Sequence, residues 1–309
     1  MPSCAQCGST VRLRGLVAVL TREIFGVEQV LPHVPALKDV RGFGMSDPPA
    51  LAARLAEKFD YTNTFYHQPP VLDITNPPED AWGTYDFIVS SEVMEHVPPP
   101  VERGFANLYR LLKPNGVLVL TVPYAPWPQH TEHYPELHEY VLAAPGGRTV
   151  LVNRRRDGSI EVFENFCFHG GDGSTLEMRV FSEASLKGVM TGAGFDEVQI
   201  ASESVAEFGV DHAETWSLPI VARKGKFVPP AGEIVKMYAA VSRKVSALER
   251  EVEILRGEYA RYVAFHEQSH KETEEELAKR AAWAMGLDRE LNELRARLWV
   301  RVGRKVGGV

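Results

Sequence analysis

A short apolar run at residues 86–90 ends in polar side chains whose types suit a ligand site. Such a run is typical of a strand buried on both faces, and Ser91 and Glu92 stand at its carboxyl end. In open α/β sheets, ligands bind in the crevice at that end of the strands. His96 follows, and two roles stay open for it: a general base, because imidazole titrates near neutrality, or a structural histidine that bonds a nearby carbonyl.

The densest group of reactive side chains lies at residues 124–140, directly after an apolar run at residues 117–122. This segment combines aromatic rings with histidines and glutamates. A hydroxyl becomes nucleophilic only as its proton leaves, so an acceptor bound here needs a base, and His130 and His133 are the candidates. We expect substrate contacts from Tyr124, Glu132, Tyr134 and, further along the chain, His169.

The same segment contains residue types that bind metals. His130, Glu132 and His133 could hold a divalent ion, but their spacing is not an established metal-binding pattern. We therefore predict a loop that faces the substrate, with no metal, and we keep a divalent metal as the second interpretation.

A glycine pair provides a further candidate ligand site. Gly42 and Gly44 precede Ser46 and a helical pattern at residues 48–59 that begins with proline. Glycine lets the backbone approach a ligand closely, and a helix N-terminus offers free N–H groups. We expect residues 38–47 to form the first strand and its glycine turn.

These candidates need a scaffold that brings strand ends together. Residues 85–123 show the pattern of a strand, a helix and a second strand, with apolar side chains at helical spacing between the two strands. No hairpin turn joins the strands, so this unit is a parallel crossover, which is right-handed by default. The sequence therefore predicts an α/β fold.

Two linked motifs narrow the fold class. DFIVSSEVMEHV at residues 86–97, followed by LLKPNG at residues 111–116, resembles the fourth strand, following helix and fifth strand of class I S-adenosylmethionine-dependent methyltransferases. The resemblance covers about residues 38–224. It implies a Rossmann-like, mostly parallel sheet with an antiparallel edge strand, and S-adenosylmethionine as the cofactor.

The resemblance also implies roles for individual residues. Gly42, Gly44 and Ser46 would hold the cofactor at the first turn, and Ser91 and Glu92 would line its methionine end.

In the same family, an acidic residue at the end of the second strand holds the ribose. This chain has no carboxylate after the strand expected at residues 61–66, so His67 or Gln68 would replace it. A third strand at residues 71–75 would place Asp73 at the adenine amino group; alternatively, Asp73 caps the following loop.

Residues 124–175 are predicted to form an inserted lid over the active site. Asp157 and Gly158 indicate a two-residue hairpin between strands at residues 149–152 and 159–163. The glycine-rich stretch at residues 165–173 is expected to be a loop. The core then resumes with a helix capped by Ser182 and with two closing strands at residues 197–201 and 218–223.

Composition limits the alternatives. The 309-residue chain has a net charge of −7, which argues against a nucleic-acid partner. Its three cysteines are too few for a disulfide scaffold, and we expect neither a membrane-spanning segment nor a secretory signal. We expect a cytoplasmic protein.

The two ends of the chain differ from this core. Residues 1–37 contain Cys4 and Cys7 in a CxxCGS motif that resembles the start of methyltransferases acting around polysaccharide synthesis. We interpret this motif as the remnant of a zinc knuckle that no longer binds metal, and a bound zinc ion is the second interpretation. After the methyltransferase domain at residues 38–228, apolar residues at heptad spacing predict a coiled-coil stalk at residues 229–309. Its basic end, around Trp299, would make at most a peripheral membrane contact.

These observations favour a methyltransferase that acts on a sugar hydroxyl of a glycan precursor. The sequence at residues 176–200 resembles that of methyltransferases encoded with glycosyltransferases, so a glycosyltransferase partner or a homo-oligomer through the stalk is expected. A methyltransferase of small molecules or quinones is the second interpretation. A third is a non-catalytic assembly module, which the missing ribose carboxylate favours.

Overall fold

The computed structural model describes residues 4, 8–125, 130–169, 175–213, 215–226 and 231–306. The chain divides into two compact units, Met1–Val241 and Ser242–Val309. The helices of the described part are α1 (Val11–Phe25), α2 (Pro49–Lys58), α3 (Val101–Leu111), α4 (Glu183–Gly192) and α5 (Ala231–Val306).

The strands of the described part follow in chain order. They are β1 (Leu37–Met45), β2 (Phe59–Thr64), β3 (Tyr85–Ser91), β4 (Leu112–Thr121), β5 (Tyr124–Ala125), β6 (Thr131–Glu132), β7 (Glu139–Ala143), β8 (Val150–Arg154), β9 (Ile160–Phe163), β10 (Phe168–His169), β11 (Thr175–Leu176), β12 (Arg179–Ser182), β13 (Glu197–Ile200) and β14 (Ile220–Arg223).

A six-stranded sheet of order β13-β14-β4-β3-β1-β2 forms the centre of the first unit. Strands β2, β1, β3 and β4 are parallel, whereas β14 runs antiparallel to both of its neighbours. The predicted α/β class, with a mostly parallel sheet and an antiparallel strand near its edge, is therefore confirmed.

Helices cover both faces of this sheet, which explains the apolar runs of its strands. Successive side chains of a strand point to opposite faces. In β3, Phe87 and Val89 therefore pack with α1 and α2, while Ile88 packs with α3 and α4. The two cores meet only through the sheet, so the sheet fixes the positions of the polar strand ends.

Local sequence signals set the helix boundaries. The Thr10 side chain accepts a hydrogen bond from the Leu13 N–H at the start of α1, and Gly26 ends that helix with a φ of 78°. Ser182 caps α4 as predicted, and Ser185 completes a reciprocal capping box.

The predicted third strand at residues 71–75 does not form. An isolated bridge joins Phe65 to Val71, and a turn follows. Pro69 and Pro70 lack the N–H groups that a ladder needs, so the sequence there resists regular pairing. The sheet consequently ends at β2.

The insertion is more regular than expected. The predicted hairpin exists, but its loop spans residues 155–159 rather than two residues, because Arg154 pairs with Ile160. Strand β7 adds a third strand to it. Within the stretch expected to be a loop, β10 pairs with β11.

The described part of the second unit is one helical segment. Helix α5 runs without interruption from Ala231 to Val306, so the predicted stalk forms a single helix in this chain. Among the described residues, no helix combines the length and the apolar character that a bilayer span requires. Cys7 and the side chain of Trp299 lie outside the described residues, as do the side chains beyond residue 297.

Gly42 tests the packing between β1 and β3. A Cβ atom at this position would overlap the buried ring of Phe87. Because overpacking a core costs about 1–3 kcal/mol, Gly42→Ala should lower the free energy of unfolding by that amount. Urea denaturation followed by circular dichroism measures it.

Gly188→Ala is the matched control, because Gly188 lies in α4 with nothing within 4 Å of its Cβ direction. Alanine there should stabilise the protein by up to ~1 kcal/mol. Equal stability of Gly42→Ala and the wild type would contradict the described packing.

Candidate active site at the carboxyl edge of the sheet

The register of the sheet brings three predicted site segments together. Met45 of β1 is the partner of Thr64 in β2 and of Ser90 in β3. The carboxyl ends of three adjacent strands are therefore occupied by Ser46, by the segment that contains His67, and by the pair Ser91–Glu92. The crevice that this creates is the expected ligand position of an open α/β sheet.

The turn between β1 and α2 is held by side chains of β2. Ser46 has a φ of 57°, a conformation that L-residues seldom adopt, and its N–H donates to the Thr64 carbonyl at 2.7 Å. Asn63 accepts from the Asp47 N–H and donates to the Asp47 carbonyl. A strained residue held by such bonds is typical of a functional turn.

Gly42 and Gly44 lie within β1 and not in the turn that follows it. The space above Gly42 contains the ring of Phe87, and the space above Gly44 contains Asp47 and Tyr61. Protein atoms therefore occupy the room that the missing side chains leave. The role of these glycines in holding a cofactor stays a prediction.

Asp47 is a site residue whose role the sequence did not show. Its carboxyl group is 2% exposed and accepts a hydrogen bond from the Tyr61 hydroxyl. Burial raises the pKa of Asp47 to about 7, although the Tyr61 hydrogen bond opposes the shift. The pKa of Tyr61 is also raised, by burial and by the neighbouring Asp47 charge.

Glu92 is oriented from two other parts of the chain. It has a φ of 56°, and one carboxylate oxygen accepts from the Ser217 hydroxyl at 2.7 Å. The other oxygen lies 3.3 Å from an Arg12 nitrogen at the start of α1. Ser91 lies beside it, with its hydroxyl 3.3 Å from that of Thr121. The end of β3 is thus a polar, partly buried edge.

The β2 side of the crevice is more open. His67 is exposed and contacts the Tyr66 ring edge to face. Asp73 accepts from the backbone N–H and the hydroxyl of Thr75, both at 2.8 Å, which is the capping role that the sequence left open. Its second carboxylate oxygen is left for another contact.

The residues present fit a polar ligand such as S-adenosylmethionine. Within the described chain, two buried oxygens near the ends of β1 and β3, Asp47 Oδ1 and Ser90 Oγ, have no hydrogen-bond partner. Buried polar groups are nearly always paired, so such atoms indicate an unmet partner. Ser46, Asp73 and Glu92 provide further hydrogen-bond donors and acceptors that such a ligand could contact.

Each of the three candidate catalytic histidines lies beside a glutamate. His96 Nδ1 donates to the Leu176 carbonyl at 2.7 Å, and its other nitrogen lies 3.7 Å from the fully buried Glu95. This carbonyl contact is the structural role that the sequence left open.

His130 and His133 belong to the insertion and separate onto opposite sides of it. His130 Nε2 lies 2.8 Å from Glu132, whereas His133 Nε2 lies 3.3 Å from Glu177. The strand β6 causes this separation, because residues of even and odd number face opposite ways there. His130, Glu132 and His133 therefore do not form one group of ligand atoms in the described part of the chain, and a divalent metal in this segment would need other partners.

Arg179 is the main residue that sequence patterns missed. Its guanidinium group is fully buried and binds both carboxylate oxygens of Glu132, at 2.5 and 3.3 Å. It also donates to the carbonyls of Met94 and Val97. An arginine inside an otherwise apolar strand pattern was the available signal, since buried arginines need partners.

The predicted substrate residues divide into two groups. Glu132 is half-buried beside His130, as a site residue would be. Tyr124 and Tyr134 are 5% and 2% exposed and pack in two separate hydrophobic cores, and their contact with a substrate stays a prediction. Burial raises the pKa of Tyr124 to about 12. For His169, the structure describes the backbone but not the side chain.

The raised pKa of Asp47 makes stability depend on pH. Since the folded pKa is about 7 and the ordinary value is 3.8, the folded state binds the proton more tightly between them. The free energy of unfolding should therefore fall as pH rises through this window. Asp47→Asn should remove this pH dependence of the free energy of unfolding, and it should be more stable than the wild type above about pH 7.

Urea unfolding across this pH range checks the result, with the exposed Asp39→Asn as control. A wild-type slope that Asp47→Asn leaves unchanged would show that Asp47 does not cause it.

Comparison with known proteins gives two matches in sequence. Residues 44–200 of the 309 match the family described as "Methyltransferase domain". A curated relative, the ubiquinone biosynthesis O-methyltransferase of Acinetobacter baylyi, is 38% identical over 79 residues. The match covers 25% of this chain and 32% of that protein, so the chain spans about a third of the relative's length.

Similar solved structures include two methyltransferases. One is 1,6-didemethyltoxoflavin-N1-methyltransferase from Burkholderia thailandensis, with a TM-score of 0.39, 14% identity, and coverage of 70% of this chain and 79% of that one. Another is a sugar N-methyltransferase from Streptoalloteichus, with a TM-score of 0.41, 12% identity, and coverage of 71% and 90%. At these TM-scores neither likeness bears on substrate. The family match covers just over half of the chain and includes β2, β3, β4 and β13 of the central sheet. The chain belongs to the methyltransferase-domain family.

Proposed function

We propose that this protein transfers a methyl group from S-adenosylmethionine to a hydroxyl oxygen of a sugar or glycan precursor. The observation that carries the proposal is the histidine–glutamate pair His130–Glu132, fixed by the buried Arg179 next to the carboxyl edge of a methyltransferase-family sheet. Such a pair is the arrangement of a general base with an orienting carboxylate.

The hydrogen bonds around His130 select its basic atom. Glu132 is ion-paired with Arg179 and accepts a hydrogen bond, so His130 Nε2 carries the proton and donates to it. The lone pair then lies on Nδ1, which is 3.3 Å from the Ser185 hydroxyl. His130 Nδ1 is therefore the atom that takes the proton from an acceptor hydroxyl.

The proposed acceptor, a sugar hydroxyl, requires a general base. The chemistry that S-adenosylmethionine supplies when bound is an electrophilic methyl on a sulfonium. A sugar hydroxyl is a weak nucleophile until its proton leaves, whereas an amine acceptor would not need this help. The curated relative that matches part of the chain is an O-methyltransferase, which also supports transfer to oxygen.

The residues that would hold the cofactor are those of the three strand ends. Ser46 and Asp47 lie at the end of β1, Asp73 follows β2, and Ser91 and Glu92 end β3. Burial of Asp47 keeps its pKa near 7, so this carboxyl group is a hydrogen-bond donor below that pH and an acceptor above it.

The polar character of the insertion favours a sugar over a quinone precursor. On the side that faces β12, it presents His130 and Glu132, and the Ser185 hydroxyl of α4 lies beside His130. A quinone pocket would need a larger apolar lining. A non-catalytic assembly module remains the alternative from a different class, supported by the absence of a ribose carboxylate after β2.

The test is transfer of labelled methyl to monosaccharide, nucleotide-sugar and catechol acceptors. We expect label on a sugar hydroxyl. His130→Gln should lower kcat by about 10²–10⁴-fold with KM for the cofactor unchanged, since general-base catalysis contributes that range. His138→Gln, at an exposed histidine of the same insertion, is the matched control.

Full activity of His130→Gln would remove His130 from the mechanism. Label on catechols alone would replace sugar with a quinone-type acceptor. Absence of transfer to every acceptor, with a folded protein, would favour the assembly module.

We further propose that α5 pairs with a second copy of itself. Six apolar side chains at heptad spacing are between 46% and 69% exposed: Val245, Leu248, Val252, Leu255, Tyr259 and Tyr262. Such a seam is stable in water only when a partner covers it.

Charge complementarity supports a parallel second copy. Lys244 and Glu249 flank the seam five residues apart, as do Glu251 and Arg256. In a parallel two-stranded coiled coil, flanking residues with this separation on opposite chains meet, so both pairs are attractive.

Sedimentation equilibrium tests this pairing. The wild type should be a dimer, Leu248→Lys with Leu255→Lys a monomer, and Arg250→Gln, on the far side of the helix, a dimer. Lys244→Glu should weaken the dimer, and adding Glu249→Lys should restore it. A monomeric wild type at micromolar concentration would contradict the proposal.

A further inference from the structure

Two segments of the insertion and the residues directly after it bring different metal-ligand atoms together on the side away from His130. His133 follows β6, Cys167 precedes β10, and Glu177 follows β11. One ligand atom from each lies within 4.8 Å of the other two, and all three residues are half-buried. We propose that His133, Cys167 and Glu177 bind one divalent transition-metal ion of the Zn²⁺ class.

The separation of the three atoms suits such an ion. Zinc lies about 2.3 Å from sulfur and about 2.0–2.2 Å from nitrogen and oxygen, so tetrahedral ligands are roughly 3.3–3.8 Å apart. The His133 Nε2 and Glu177 Oε1 atoms are already 3.3 Å apart. Small side-chain rotations would bring the third ligand to the same distance.

The backbone fixes these positions independently of any ion. The Glu177 N–H donates to the Cys167 carbonyl, and the His133 N–H donates to the Met178 carbonyl, both at 2.8 Å. The Cys167 N–H donates to the Tyr134 hydroxyl at 3.2 Å. A site in which the ligands are preorganised loses less entropy when the metal binds.

The ligand set selects the kind of metal. One imidazole, one thiol and one carboxylate suit borderline ions such as Zn²⁺ and Co²⁺, whereas Ca²⁺ and Mg²⁺ prefer oxygen ligands alone. Three protein ligands leave a fourth position for water or an acceptor oxygen. An apolar cluster adjoins the site and limits solvent access: Tyr134, Leu176, Met178, Phe163, Phe166 and Phe168.

The electrostatics also fit a cation. Burial and the Glu177 charge raise the pKa of the Cys167 thiol above its ordinary value. A bound divalent cation reverses this situation, because a coordinating thiol loses its proton. Metal binding should therefore release a proton and become stronger as pH rises.

The ion would connect the insertion to the candidate active site. Next to Glu177, the Met178 N–H donates to the Glu95 carbonyl at 2.8 Å, and the Leu176 carbonyl accepts from His96. The same short segment thus holds a proposed ligand and contacts the turn after β3. The simpler interpretation, a His133–Glu177 hydrogen bond beside a half-buried thiol, predicts no metal affinity.

Cobalt titration of the full chain, after treatment with a chelator, separates the two interpretations. Cobalt bound to a thiolate gives a near-ultraviolet charge-transfer band, and a tetrahedral site gives intense visible bands. Cys4→Ser with Cys7→Ser, which leaves Cys167 as the remaining thiol, should keep one equivalent of cobalt and both band types. Cys167→Ser should lose the charge-transfer band of this site.

Zinc-dependent thermal stability provides a second measurement that does not depend on activity. Zinc should raise the Tm of the Cys4→Ser, Cys7→Ser background. It should raise the Tm equally when Glu164→Gln is added as a control, because Glu164 is an exposed glutamate near Cys167 in the chain. His133→Asn and Glu177→Gln in this background should lower zinc affinity by more than about 100-fold, since even outer-shell changes cost 10–100-fold.

Circular dichroism verifies that each variant is folded. If the folded background binds no cobalt and shows no zinc-dependent Tm, the proposal is overturned. It is equally overturned if His133→Asn and Glu177→Gln bind metal as tightly as the background does.

Discussion

The buried guanidinium of Arg179 holds the insertion against the methyltransferase core. It is fully enclosed and binds Glu132 of the insertion together with the Met94 and Val97 carbonyls after β3. A buried charge is tolerated only with such complete pairing, and loss of one partner typically costs about 3–5 kcal/mol. Because Glu132 also orients His130, the position of the proposed base depends on this one side chain.

At the carboxyl edge of the sheet, the turn after β1 depends on side chains of β2. Where the family resemblance implies an open glycine turn, the space above Gly44 is filled by the Asp47–Tyr61 pair. The turn is fixed by side chains of β2 and not by glycine flexibility. This explains how the strained turn at Ser46 forms although Gly42 and Gly44 lie within β1.

Much of the fold could be predicted from the sequence, because the strands are buried on both faces. The apolar run of β3, the crossover to β4 and the Ser182 cap are local signals, and each was confirmed. The missing strand at residues 71–75 was predicted only by analogy with the family, and adjacent prolines oppose it. Two-residue strands such as β10 depend on tertiary contacts that leave no periodic pattern.

The site was less predictable, because its contacts join distant segments. Arg12 and Ser217 reach Glu92 across 80 and 125 residues, respectively, and no motif records such pairs. No sequence pattern groups Cys167 with His133 and Glu177, although ligand atoms of the three residues lie close together in space. Tyr124 and Tyr134 have the residue type of a substrate contact, but their burial depends on packing that composition does not show.

Binding of S-adenosylhomocysteine, measured by calorimetry together with hydrogen–deuterium exchange, tests the central claim most directly. The claim is that the carboxyl edge of the sheet holds the cofactor. We predict one molecule bound per chain, with slower amide exchange at residues 44–48, 64–75 and 90–97 and no change in α5. A folded protein that gives no heat at millimolar ligand and no protection at these strand ends would contradict the claim.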